Sequence, residues 1–143
     1  MGNLPQGRYL TRGLVLDTHA AVWYLRRDLR LSKAAEDAID RAMESGGRAY
    51  VASISVVESI YLVEKGRVTA DALELLRAAF ADPSLGFSVA HLDLAVADAL
   101  ATVPRKGVPD LPDRVIAATA LSLQLPLVTR DGEIRAANIE TIG

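Results

Sequence analysis

The sequence predicts an α/β sandwich built on a mainly parallel sheet. Short apolar runs of strand length alternate with stretches of helix length from residue 13 onward. Helix-length connections between successive strands imply parallel pairing, because a tight turn can join only antiparallel neighbours. Hydrophobic residues make up 50% of the 143, enough to cover both faces of such a sheet within one domain.

The elements follow in order. Leu14-Val15-Leu16 is a strand that stops at Asp17, and "HAAVWYLRRD" (19–28) reads as the helix after it. The helix in "SKAAEDAIDRAMESGG" (32–47) has Ser32 as its cap and Gly46 at its end, with Ala35, Ala38, Ile39, Ala42 and Met43 on one face. "AYVAS" (49–53) is the second strand. "SVVESIYLVEKGRV" (55–68) is a helix ending near Gly66, and "TADALELLRAAFADP" (69–83) one ending near Pro83. "GFSVAHL" (86–92) is the third strand, "LDLAVADALATVP" (92–104) a helix stopped by Pro104, and "RKGVPDLP" (105–112) a loop. "DRVIAATALSLQL" (113–125) is a long apolar helix, "PLVTRD" (126–131) the fourth strand and "IETIG" (139–143) a fifth. Residues 1–12, "MGNLPQGRYLTR", carry Gly, Pro and polar residues without an apolar signal core and are expected to be a flexible leader to a domain of 13–143.

Composition removes several function classes. The chain has no cysteine, which excludes disulfides and thiolate metal sites and is compatible with a reducing cytoplasm, the expected location. With two histidines only, at 19 and 91, a bound metal would rely on oxygen ligands. No apolar run approaches a membrane span, and no Gly-rich phosphate loop is present. Lys plus Arg number 16 against 18 Asp plus Glu. Nucleic-acid binding would therefore need a local basic patch or metal ions.

Asp17 is the first sign of chemistry. An unpaired carboxylate between a buried strand and a buried helix costs about 2–5 kcal/mol. Ligands in open parallel sheets bind beyond the carboxyl ends of the strands, and Asp17 and Asp131 follow the first and fourth strands at that edge. Glu58, in the first turn after the second strand, belongs to the same edge, and Asp113 opens the long helix, with Asp110 three residues before it. Each has a local explanation. Asp17 could cap its helix, Ser55-x-x-Glu58 and Asp110-x-x-Asp113 fit capping boxes, and Asp131-Gly132 fits a turn. Together, four acids at one edge would repel one another, and a hard divalent cation such as Mg²⁺ or Mn²⁺ would relieve that repulsion.

"LVLDTHAAVWYL", "SISVVESIYLVEKGRV", "DLPDRVIAATALSLQLPLVTRDGEIRA" and the terminal "IETI" resemble, in that order, the PIN-domain family, with the closest likeness to its VapC-type toxins. The resemblance covers about residues 13 to 143. It implies a PIN-like three-layer α/β/α sandwich with about five strands and an acidic pocket for Mg²⁺ or Mn²⁺. It implies a metal-dependent endoribonuclease that cuts structured RNA such as transfer or ribosomal RNA. A cognate VapB-type antitoxin and a homodimer are the implied partners. By motif position, Asp17, Glu58, Asp113 and Asp131 match the four acids. Asp17, Asp113 and Asp131 would bind metal directly or through water, and Glu58 a second metal or the attacking water. Thr129 would support ligand or water, with Thr18 the second candidate for that role. Asp110 is the reserve for Asp113, or else an N-cap.

Other residues have two readings each. Arg114 could steer phosphate or pair with an acid, and Arg130 likewise. Arg26, Arg27 and Arg30, with Lys33, could grip RNA or an acidic partner, or be a solvated face. His19 could be a ligand or a packed side chain, and Trp23 and Tyr24 could stack on bases or belong to the core. Three rival functions remain at this point: a receiver-like signalling module, a PIN-like processing or structure-specific nuclease that is no toxin, and a catalytically silent binding domain. A receiver would want an acid pair at the first strand and a late lysine, but no lysine follows residue 106.

Overall fold

Among the described residues five parallel strands form the sheet: β1 (Gly13–Leu16), β2 (Arg48–Ala52), β3 (Phe87–Ala90), β4 (Leu127–Val128) and β5 (Thr141–Ile142). Their spatial order is β3-β2-β1-β4-β5. The computed structural model describes residues 13–136 and 139–143, so the leader expected over 1–12 lies outside the described residues. The helices among them are α1 (Thr18–Arg26), α2 (Lys33–Glu44), α3 (Ser53–Glu64), α4 (Ala70–Ala81), α5 (Leu94–Leu100), α6 (Leu111–Leu123) and α7 (Gly132–Ala136).

Strand alternation explains why the sheet is covered twice. Leu14 and Leu16 of β1, Ala49 and Val51 of β2, Phe87 and Val128 share one core with Ala20, Ala35, Ile39 and Leu76 of α1, α2 and α4. Val15, Ala52 and Leu127 point the other way, into a core with Val96, Ile116, Ala120 and Ile134 of α5, α6 and α7. Helix α3 packs against α1, α4 and α6. The three layers match the expected architecture, and the sheet is wholly parallel rather than mainly so.

Strand order decides where the site lies. The chain steps outward from β1 to β2 to β3, then crosses back to place β4 against the free side of β1. The two central strands pair Val15 with Leu127 and Leu16 with Val128, and the Asp17 N–H donates to the Val128 carbonyl at 3.1 Å. The sheet therefore reverses direction of growth between β1 and β4, where crevices open at the carboxyl ends of the strands.

Elements α3, α6, β4 and α7 depart most from the sequence expectation. Helix α3 begins at Ser53, directly after β2, with Ala52 at the cap position and no side-chain cap. Ser55 is therefore inside the helix and buried, its Oγ without a partner among the described residues, so the Ser55-x-x-Glu58 capping box is not formed and Glu58 sits in the second turn. Helix α6 begins at Leu111, two residues early, because Pro112 is tolerated in a first turn. Strand β4 is only two residues long, and α7 follows it where no helix was expected.

Candidate functional site

Asp17 leaves β1 in an extended conformation and caps α1, its Oδ1 accepting the Ala20 N–H at 2.8 Å. Thr129, buried just beyond β4, lies close enough to the same carboxyl to favour its charged form. Burial pushes the Asp17 carboxyl above its ordinary value. Nearby Asp131 adds to that, while Thr129, Ala20 and His19 oppose it.

Asp131 is built in the same manner one strand away. Its N–H donates to Thr129 Oγ1 at 3.0 Å, and its Oδ1 accepts from the Glu133 and Ile134 N–H groups at 2.8 and 3.2 Å, which starts α7. One oxygen of each carboxylate is thus committed to the backbone, and the other remains the better acceptor for a ligand. Thr129 holds the backbone of Asp131 and stands beside Asp17.

Glu58 reaches the same place from α3, where its Oε1 accepts from Thr18 Oγ1 at 2.8 Å. Asp113 comes from the first turn of α6. Asp110 caps that helix by accepting the Asp113 N–H at 3.0 Å. Asp113 is pushed up to about 7, first by burial and then by repulsion from Asp110, Asp131, Glu58 and Asp17. Its carboxyl therefore senses every other acid of the site.

These groups line one cleft of about 330 Å³ with Asp17, Thr18, His19, Trp23, Glu58, Asp110, Asp113, Ile116, Arg130 and Asp131 at its walls. All four acids and Thr18 are brought together, and Thr129 lies beneath them. Among the described residues, no three acids or histidines stand close enough to close on one ion. An all-oxygen set that offers one or two carboxylates at a time suits a hard divalent cation that keeps several of its waters.

The arginines are distributed differently. Arg114 does not reach the cleft: its Nη2 donates to the Leu100 and Val103 carbonyls, both at 3.0 Å, and fastens the end of α5 to α6. Arg26 pairs with Asp71 at 2.7 Å, Arg30 with Asp28 at 2.7 Å and Lys33 with Asp37 at 3.2 Å. Arg27 is exposed and closes α1 in the left-handed conformation. The wall residues that the acid pattern does not announce are His19, Trp23, Ile116 and Arg130. Tyr24 instead donates to Asp40 on α2 and stacks against Phe87.

No helix of the described residues is long and apolar enough to cross a membrane. A family model for the PIN domain matches residues 14–140. The fold is similar to several solved structures. One is VapBC2 from Rickettsia felis, bound to a DNA fragment from its promoter, at a TM-score of 0.67 and 12% identity over 91% of this chain and 97% of that one. A toxin–antitoxin complex from Klebsiella pneumoniae aligns at a TM-score of 0.58 and 20% identity, over 91% and 96% of the two chains. FitAcB from Neisseria gonorrhoeae aligns at 0.54 and 21%, with the same coverage. No curated protein sequence matches the chain.

Proposed function

The chain belongs to the PIN domain family, and we propose that it is a VapC-type toxin. In this reading it is a metal-dependent endoribonuclease of the cytoplasm that cuts structured RNA, transfer or ribosomal. A cognate VapB-type antitoxin silences it, and it works as a homodimer. One observation carries the reading: Asp17, Glu58, Asp113 and Asp131, from four separate segments, face one cleft at the reversal point of the sheet. The antitoxin draws support from similarly folded chains in toxin–antitoxin complexes.

Each residue has a role that follows from its setting. Asp17, Asp113 and Asp131 would hold Mg²⁺ or Mn²⁺ through their uncommitted oxygens and through water. That ion, when bound, supplies a Lewis acid for phosphate oxygens and lowers the pKa of water beside it. Thr129 would help position Asp131 by accepting its backbone N–H. Glu58, anchored through one oxygen by Thr18, has its other oxygen to orient an attacking water. Partial burial of Asp17 and Asp113 lowers the effective dielectric on their side of the cleft, which strengthens each electrostatic contact made there.

The toxin reading is tested in cells. Induced expression of the chain should arrest growth, and Asp17→Asn should not. The arrest should be relieved by a small protein co-expressed from the neighbouring gene. Equal arrest by wild type and Asp17→Asn would overturn the reading.

A further inference from the structure

Trp23 is the chain's one tryptophan. One side of it packs on the core under α1, and the other lines the acidic cleft. The His19 ring stacks on it with centroids 5.5 Å apart and planes 23° from parallel. Two guanidinium groups lie over its ring, Arg30 with Cζ at 5.4 Å from the centroid and Arg130 at 5.8 Å. These arginines come from segments 100 residues apart, and Arg130 Nη1 donates to the Arg30 carbonyl at 2.9 Å.

The two cations are not equivalent. Arg30 spends its Nε and Nη2 on Asp28, at 3.1 and 2.7 Å. Among the described residues no acid pairs with Arg130, although it stands in the wall of a cleft lined by carboxylates. It is fixed by a backbone carbonyl and an aromatic face, and its remaining N–H groups have no partner among the described residues. A preorganised guanidinium in that state is a phosphate receptor. The aromatic and guanidinium planes beside it are surfaces on which a nucleobase stacks.

We propose that Trp23, Arg30 and Arg130 form a ledge that holds one unpaired nucleotide of an RNA strand beside the carboxylates. The base lies on the aromatic–guanidinium stack and the phosphate on Arg130. The choice of RNA rests on the nuclease reading above. A cleft of about 330 Å³ has room for one nucleotide and not for a duplex, whose bases are stacked on each other and present no free face. Positive charge on this wall also offsets the repulsion that the acids exert on an approaching phosphate.

The lone tryptophan makes the ledge directly observable. A short single-stranded RNA is mixed with the full chain and Mg²⁺ in a stopped-flow instrument. Trp23 emission is read before turnover, binding is followed by the anisotropy of a label on the RNA, and cut RNA is collected from the same samples. The expected result is saturable quenching by single-stranded RNA, with duplex RNA of the same sequence binding at least tenfold more weakly. Arg130→Gln keeps the reporter and should weaken binding about 5- to 20-fold and lower the salt slope by about one. Trp23→Leu should weaken it about 5- to 150-fold, and Trp23→Phe should restore most of the loss. Unchanged Trp23 emission with RNA bound, or equal affinity for Arg130→Gln, would overturn the ledge. RNA that binds and quenches but is never cut would leave the ledge standing and remove the nuclease reading.

Discussion

Replacing Asp113 by asparagine should stabilise the metal-free protein above neutral pH. The carboxyl has an ordinary value of 3.8 and sits at about 7 in the fold, because it is partly buried and faces four other acids. The folded state therefore binds a proton more tightly than the unfolded state. Stability from this group is full below pH 3.8 and is lost as the pH rises through 7. A shift of that size has an upper bound of about 4 kcal/mol. Asp113 remains partly open to solvent, and screening there leaves about 1–2 kcal/mol. Asparagine keeps the shape and carries no charge, and no hydrogen bond of the Asp113 side chain is lost among the described residues. Thermal melts in EDTA between pH 4.5 and 8.5 should show the variant above wild type by about 3–6 °C at pH 8. The two curves should converge toward pH 4.5. Excess Mg²⁺ should narrow or reverse the gap, because a cation bound only to the folded wild type stabilises it. A variant that melts at or below wild type at pH 8 in EDTA would refute the argument that the acids repel one another.

Further outcomes follow from single contacts. Thr18→Val removes the donor that fixes Glu58. RNA cleavage should fall about tenfold while stability changes by less than about 1 kcal/mol, measured by initial rates beside urea unfolding. Arg114→Met removes both hydrogen bonds to the Leu100 and Val103 carbonyls and should cost about 2–4 kcal/mol in urea unfolding, with cleavage per folded molecule unchanged. Gln124 closes α6 at a φ of +57°. Glycine there should raise stability by about 0.5–1 kcal/mol in the same assay.

The acids were legible because the rule that places sites at strand ends needs only local sequence. Asp17 after "LVL" and Asp131 after "LVTR" satisfy it whatever the strand order. That these two are neighbours was not legible, since the pairing of β1 with β4 joins segments more than 100 residues apart. The capping reading of Asp110 needed only the spacing to Asp113, and the structure shows that contact. The capping box at Ser55 failed because β2 passes into α3 without a loop, which moved the helix start back to Ser53. The two-residue β4 and five-residue α7 are too short for periodicity to register, and Asp131-Gly132 reads equally as a turn. Arg114 and Trp23 were ambiguous for one reason: the partners of each, Leu100 and Val103 for the first and Arg130 for the second, are set by packing between elements. Capping leaves a carboxylate oxygen over in each case, since Asp17 and Asp131 each commit one oxygen to the backbone and keep another.

The most direct test of the account is cleavage of total cellular RNA by the purified, antitoxin-free chain, with Mg²⁺ or Mn²⁺ and with EDTA. Asp17→Asn and Asp131→Asn run beside wild type. The account predicts discrete fragments that require the metal and both carboxylates. Fragments that persist in EDTA, or that both variants release at the wild-type rate, would contradict it.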